Sequence, residues 1–315
     1  MESHREKALA VMAQVNRYIF GKEEAVRESL AAFLAGGNIL LEDIPGVGKT
    51  TMALLFAKTM GLEWKRVQFT PDVMPSDLTG FSIYRRDTGE FEYQKGAVFC
   101  NLLLADEINR TTPKTQSALL EAMQEQQVTV EGVTRELTPP FLVIATQNPL
   151  GTAGTQPLPP AQMDRFTISM TMGYPDFENE VQMAKVDGHH ALAAGVEAVT
   201  DRLTFLEMQK EVENIYIKDE VYRYIVELVG QTRQHSCIEQ GVSPRGTLAL
   251  TRMSKAVAWI AGNSYVSPMD VAAQFPYVVG HRLILNMEAR MQGKKKEQVI
   301  QEILDSVKKP ELGRK

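Results

Sequence analysis

Apolar positions along this chain switch between two periods. Ala8, Met12, Val15 and Ile19 recur at helical spacing and predict an N-terminal helix with one buried face. Glu23 to Leu34 predicts a second helix, stopped at Gly36-Gly37, because glycine readily takes the left-handed backbone that ends a helix. Short apolar runs then alternate with helical stretches, and strands are predicted at 38–42, 64–69, 101–106, 141–146 and 166–170. Apolar strands separated by helices imply a parallel sheet covered on both faces, with any ligand at the carboxyl ends of the strands. Two segments break the alternation and read as hairpins. Residues 81–93 turn at Asp87-Thr88-Gly89, and 128–137 turn at Glu131-Gly132. They either extend the surface of the sheet or face a partner. After Met170 the character changes: Tyr174-Pro175-Asp176 starts a helix, and the alanine- and glycine-rich stretch 187–199 reads as a linker. From Leu203 onward the pattern is helical. Val221, Ile225, Leu228 and Val229 share a face, and Leu248, Met253, Val257 and Ile260 do so less regularly. The expected organisation is an α/β domain over 1–198, with hairpin inserts near 81–95 and 128–137, followed by a small all-helical lid over 199–315.

The ends of the predicted strands carry the chemistry. Asn38-Ile39-Leu40-Leu41 runs into Asp43-Ile44-Pro45-Gly46-Val47-Gly48-Lys49-Thr50-Thr51 and then into the helix-like Met52-Ala53-Leu54-Leu55-Phe56-Ala57. Strand, glycine-bearing loop and helix in that order form a phosphate-binding loop, where a plain glycine turn before a helix would be the simpler alternative. Gly46 and Gly48 let backbone N–H groups curl around phosphate oxygens, and the following helix points its positive end at the same anion. Lys49 supplies a mobile charge for the outer phosphates, and the Thr50 hydroxyl is placed for Mg²⁺. The run Asn101-Leu102-Leu103-Leu104-Ala105 ends in Asp106 and Glu107. Two carboxylates at the end of a core strand need a partner or a task. Asp106 would hold Mg²⁺ through water, and Glu107 would polarise the water that attacks a γ-phosphate; solvated loop carboxylates are the alternative. A third run, Phe141 to Thr146, ends in Gln147-Asn148-Pro149. Asn148 either bonds the attacking water or the γ-phosphate, or is an Asx-type turn residue before Pro149.

These residues carry a resemblance. Leu103 to Arg110, Pro113 to Glu125, Ile144 to Pro149, Gln162-Met163-Asp164-Arg165-Phe166, Ser243-Pro244-Arg245-Gly246 and His281-Arg282 are similar, in order, to motifs of the MoxR family of AAA+ ATPases. The likeness runs from about Tyr18 to about Arg282. The loop variant with Asp43 and Pro45 is similar to that of the family, whereas Gly96-Ala97 stands where the family usually shows Gly-Pro. The resemblance implies an AAA+ P-loop NTPase fold, a parallel five-stranded sheet flanked by helices with a helical lid, and hydrolysis of ATP with Mg²⁺. Asp43, Pro45, Gly46, Val47, Gly48, Lys49, Thr50, Thr51 and Asp106 form the nucleotide-binding set, with Thr50 and Asp106 toward the metal. Asn148 matches the sensor-1 residue. Arg165 matches the arginine finger, which acts in trans on a neighbour's nucleotide, and Arg245 matches the sensor-2 arginine, which reaches the phosphates from the lid. A structural ion pair is the plainer role for Arg165, and a surface position the plainer one for Arg245. Ser243 as N-cap and Pro244 as first helical residue place Arg245 in the first turn of a helix. The hairpins match elements that line the pore or face a client in related rings. The resemblance implies a homo-oligomer, a hexameric ring in the family's manner, acting as a chaperone-like remodeller of partner proteins that often carry a von Willebrand factor A domain.

Composition narrows the picture. With 315 residues and 44% hydrophobic content, the chain has material for two cores. No apolar run reaches bilayer length, and the charged N-terminus leads into no signal core, so a cytoplasmic setting is expected. Cys100 and Cys237 are too few for a disulfide framework; Cys100 reads as a buried thiol beside the strand that ends in Asp106. His189-His190 reads as solvated, not metal-binding, and Lys294-Lys295-Lys296 as a solvated face. A net charge of −5 argues against nonspecific nucleic-acid binding. An ATP-regulated scaffold with incidental turnover and a DNA-acting AAA+ relative are the competing readings; a salt-sensitive affinity for DNA would mark the second.

Overall fold

A computed structural model describes residues 3–43, 46–148, 158–185 and 195–311. Helices α1 (His4–Asn16) and α2 (Glu23–Leu34) lead into β1 (Ile39–Glu42), and α3 (Lys49–Thr59) leads to β2 (Trp64–Gln68). The short α4 (Pro75–Thr79) and the hairpin β3 (Gly80–Arg85)–β4 (Glu90–Lys95) precede β5 (Leu102–Asp106). Then come α5 (Pro113–Glu125), the hairpin β6 (Gln127–Val130)–β7 (Val133–Glu136), β8 (Leu142–Gln147), α6 (Pro160–Met163), β9 (Ile168–Met170) and α7 (Phe177–Lys185). The C-terminal part holds α8 (Arg202–Glu213), α9 (Asp219–Thr232), β10 (Ile238–Gln240), α10 (Pro244–Ala261), α11 (Pro268–Val279), β11 (Ile284–Leu285), α12 (Met287–Met291) and α13 (Lys296–Ser306).

The five core strands form one parallel sheet in the order β2-β5-β8-β1-β9. The chain leaves β1 for the far edge, returns through β5 and β8, and crosses to β9 on the other side. That reversal at β1 opens a crevice at the carboxyl ends of the strands. Strand alternation divides the core in two. Ile39, Leu41, Leu102, Leu104, Ile144 and Ile168 pack toward α1–α3 and the C-terminal helices, whereas Leu40, Leu103, Ala105, Val143 and Ala145 pack toward α5 and the hairpins. The N-terminal helices and the C-terminal helices thus share one hydrophobic cluster instead of each burying its own.

Local signals act as expected. Gly36 takes φ +65 at the end of α2. The β6–β7 turn uses Glu131 at φ +56 and Gly132 at φ +78, the pair of left-handed residues that a two-residue hairpin loop requires. Cys100 is buried, and burial pushes its thiol up to about 12. Two expectations are corrected. The lid is not wholly helical, since β10 and β11 form an antiparallel ribbon within it. Leu248 is 62% exposed, because the buried face of α10 runs through Ala249, Leu250, Met253 and Ala256. The pair His189-His190 and much of the expected linker lie outside the described residues.

His281, at the end of α11, is fully buried and its Nε2 lies 3.2 Å from the Phe166 carbonyl. Desolvation, then the Arg282 charge, hold its pKa well below the ordinary histidine value. The folded state therefore binds fewer protons than the unfolded state below the unfolded pKa. Stability from this group is complete above about pH 6.5 and falls by about 1.4 kcal/mol per pH unit on acidification below it. Urea titrations of wild type and His281→Gln at pH 7.5 and 5.5 read this directly. The wild type should lose more stability between the two; equal losses would contradict the assignment.

Candidate active site

The loop between β1 and α3 is shaped by its glycines. Gly46 has φ +89, and Gly48, the N-cap of α3, has φ +93. A Cβ built on either would meet no atom within 4 Å, so both stand against open space at the first turn of the helix. That space is a cavity of about 390 Å³ lined by Asp43, Gly46, Gly48, Lys49, Thr50, Thr51, Arg66, Gln68, Asp106, Glu107, Thr146 and Asn148, with Met183 at its side. Lys49 Nζ donates to the Asp43 carbonyl at 3.1 Å. Partial burial lowers the Lys49 pKa, opposed by the charges of Asp43, Asp106 and Glu107. Asp43 differs from the glycine usual at its position by having a structural task. Its buried carboxylate accepts from the N–H groups of Met172 at 2.5 Å and Gly173 at 3.0 Å, tying the loop to the exit of β9. Pro45 lies outside the described residues. Val47 is buried.

Asp106 and Glu107 project from the end of β5, and β8 lies between β5 and β1, so Asn148 falls between the loop and the two carboxylates. Thr146 joins the pair: its hydroxyl donates to Asp106 Oδ1 at 2.7 Å and accepts from the Glu107 N–H at 2.9 Å. Glu107 sits at φ 58, ψ 49, an uncommon left-handed position for a non-glycine residue that turns its side chain into the cavity. Gln68 Nε2 donates to Glu107 Oε2 at 2.9 Å and Arg110 to the same oxygen at 2.7 Å. Arg66 reaches Asp106 Oδ2 at 2.7 Å. Two arginines thus offset the two carboxylates.

Arg165 and Arg245 do not enter this cavity. They line a second one, of about 440 Å³, with Arg252, Leu248, Asp164 and Arg282. Its other walls, Asn38, Phe141, Leu142 and Thr167, stand at the amino ends of β1, β8 and β9, opposite the phosphate loop. Among the described residues, no carboxylate lies within 4.0 Å of the Arg165, Arg245 or Arg252 guanidiniums, and Arg165 Nε is buried with no hydrogen-bond partner. The structural ion pair weighed for Arg165 is not formed among the described residues. Arg245 does occupy the first turn of α10, with Ser243 as N-cap accepting its N–H at 3.2 Å.

Residues 38–168 match the model of the ATPase family associated with various cellular activities (AAA), and residues 230–303 match the AAA lid domain. The chain is 37% identical to the chaperone MoxR1 of Mycobacterium tuberculosis over 308 residues, covering 95% of this chain and 81% of that protein. It is 48% identical to the uncharacterized protein YeaC of Bacillus subtilis over 94% of this chain and 92% of the relative. A crystal structure of a protein assigned as an ATPase, from Cytophaga hutchinsonii, superimposes with a TM-score of 0.91 at 39% identity, covering 98% of this chain and 96% of the other. This chain belongs to the MoxR family of AAA+ ATPases. It is therefore a nucleotide-binding enzyme that hydrolyses ATP.

Within a MoxR ATPase the crevice gains members that the strand-end motifs did not single out. Arg66 and Gln68 come from β2, whose register sets Gln68 beside Asp106. Their signal in the sequence is the alternation Arg66-Val67-Gln68, which sends two polar side chains to one face. A small apolar cleft also opens beside Gly48 and Thr51, lined by Tyr18, Ile19, Phe20, Val47, Pro175 and Met183. Its signal is the apolar run Tyr18-Ile19-Phe20 after α1, of which the helical period claims only Ile19. No helix among the described residues is long and apolar enough to cross a membrane.

Proposed function

We propose that this ATPase works as a Mg²⁺-dependent closed ring, a hexamer, in which each active site is completed by the neighbouring subunit, and that the ring remodels or activates partner proteins. One observation carries the ring: the phosphate loop and the arginines Arg165 and Arg245 stand at opposite ends of the same sheet. A subunit cannot bring its own Arg165 to its own nucleotide, but a head-to-tail neighbour can. The sensor-2 assignment changes accordingly, with Arg245 contributing to the same trans-acting face. Residues 1–198 act as the nucleotide-binding unit and 199–315 as the lid that sets where this face sits.

The chain's own groups divide the work. N–H groups of the loop and the start of α3 hold the phosphates, Lys49 neutralises the outer ones, and the cleft of Tyr18, Ile19 and Pro175 takes the purine. Thr50 and Asp106 offer hard oxygen atoms on one cavity wall, a donor set that fits Mg²⁺. When bound, Mg²⁺ supplies charge neutralisation at the outer phosphates. Glu107 accepts a proton from the attacking water at Oε1, since Gln68 and Arg110 both bond Oε2. Asn148 positions that water or the γ-phosphate.

Lys49→Ala is expected to raise the dissociation constant for ATP by about tenfold or more, since it removes the ammonium on the cavity wall. Calorimetric titration measures it; an unchanged constant would overturn the loop assignment.

The hairpins support the client-facing part of the proposal. Phe91 on β4 is 74% and Tyr84 on β3 54% exposed, their ring centres 5.3 Å apart with the planes tilted by 59°, and Phe81 and Ile83 are also exposed. Ser82 bonds Glu131 at 2.5 Å, and the Arg135 guanidinium lies 3.6 Å from the Tyr93 ring centre, so the two hairpins form one projecting unit. A partner with a von Willebrand factor A domain and a cytoplasmic location belong to the same proposal. A pull-down with Glu107→Gln protein under ATP, compared with the same protein carrying Phe91→Ser, tests it: clients captured equally by both would sink the hairpin assignment.

A further inference from the structure

We propose that Asp164 is a positioning residue that locks Arg165 and Arg245 into one rigid trans-acting face; this rests on the ring reading above. Asp164 directly precedes Arg165. Its Oδ1 accepts from Arg282 Nε at 2.8 Å, and its Oδ2 accepts from the Ser243 hydroxyl at 2.7 Å. Ser243 caps α10 two residues before Arg245, so one carboxylate links the core residue beside the first arginine to the lid residue that starts the helix of the second.

Arg282 completes the bolt from the other side. Its guanidinium donates to the carbonyls of Asp164 at 3.1 Å, Phe166 at 2.5 Å and Thr167 at 3.1 Å, and also to Val278 in α11. The backbone on both sides of Arg165 is therefore held by one side chain of the lid, which is 6% exposed. A planar, charge-assisted donor fork gripping several acceptors fixes direction as well as distance. Gly246, the residue after Arg245, is part of the fit: a Cβ there would meet Val242 at 2.2 Å and the Arg282 Cδ at 3.1 Å, so glycine lets α10 lie against this side chain. Among the described residues neither arginine of the face has an ion-pair partner, so its aim depends on the backbone that carries it. Misplacement of a reacting or charge-stabilising group by about 1 Å can cost about a hundredfold in rate.

Asp164→Ala protein should bind ATP with affinity within about twofold of wild type, because its phosphate loop is untouched, and lose at least about tenfold in turnover. Asp164→Asn, which keeps an acceptor for Arg282 and a donor for Ser243, should recover most of that loss. Mixing identifies the face affected. Lys49→Ala subunits, with an intact arginine face, should restore activity to Asp164→Ala subunits, and Arg165→Ala subunits should not. If Asp164→Ala is unfolded at the assay temperature, Ser243→Gly replaces it, since glycine is nearly as good an N-cap but severs the link to Asp164. Wild-type turnover in these variants overturns the proposal. So does rescue of Arg165→Ala by Lys49→Ala without rescue of Asp164→Ala, which leaves the ring reading standing. If Lys49→Ala rescues neither, the ring reading itself falls, and the bolt with it.

Discussion

Glu107→Gln protein is expected to hydrolyse ATP about a hundredfold or more slowly while binding it with nearly unchanged affinity. The amide is isosteric and can still accept from Arg110, which now bonds Glu107 Oε2 at 2.7 Å, so the packing around the end of β5 survives. The backbone N–H of residue 107 keeps its bond to Thr146, so the left-handed turn that aims the side chain is retained. Lys49, Thr50 and Asp106, which line the same cavity and are proposed to hold the phosphates and the metal, are untouched. What disappears is the basic oxygen that takes a proton from water, an effect worth about two to four decades. Steady-state phosphate release and an ATP titration on the same preparation separate the two quantities. Undiminished turnover would show that Glu107 is not the base, and a large loss of affinity would show that its role is in binding.

Much of the fold was legible because its signals are local. The β1 loop, the carboxylates after β5 and the amide after β8 each follow a short apolar run, and parallel pairing places all such ends on one edge of the sheet. Helix α2 begins and ends at its expected residues, since Gly36 supplies its stop. What stayed hidden depends on pairing between distant segments. Gln68 joins Glu107 only because β2 is the neighbour of β5, and Arg66 reaches Asp106 for the same reason. Ile19 looks like a core position by period, yet with Tyr18 it flanks the loop. The placement of Arg245 was the largest difference. Its helix start was readable from Ser243-Pro244, but its place at the amino ends of the strands comes from packing and contacts between distant segments, such as Arg282 with Asp164, more than a hundred residues apart in the chain.

Arg165→Ala is expected to abolish nearly all turnover while costing little stability. Among the described residues the guanidinium has no ion-pair partner and its Nε is buried without a hydrogen bond, so truncation breaks no contact of that kind there. A change of about 0.5 kcal/mol or less in unfolding free energy follows. A charge-stabilising arginine supplied to phosphoryl transfer is worth about three to five decades in rate. The defect should be curable by a neighbour. In a mixed ring an Arg165→Ala subunit keeps its phosphate loop and can receive the arginine of a Lys49→Ala subunit, which itself cannot bind ATP productively. Activity per subunit should also rise with protein concentration if, as proposed, the complete site forms only between subunits. Assays across a dilution series, with each variant alone and in equal mixture, test both statements. Turnover per subunit that is independent of concentration, together with no gain on mixing, would indicate that each chain completes its own site, and the opposite placement of the two cavities would then need another purpose.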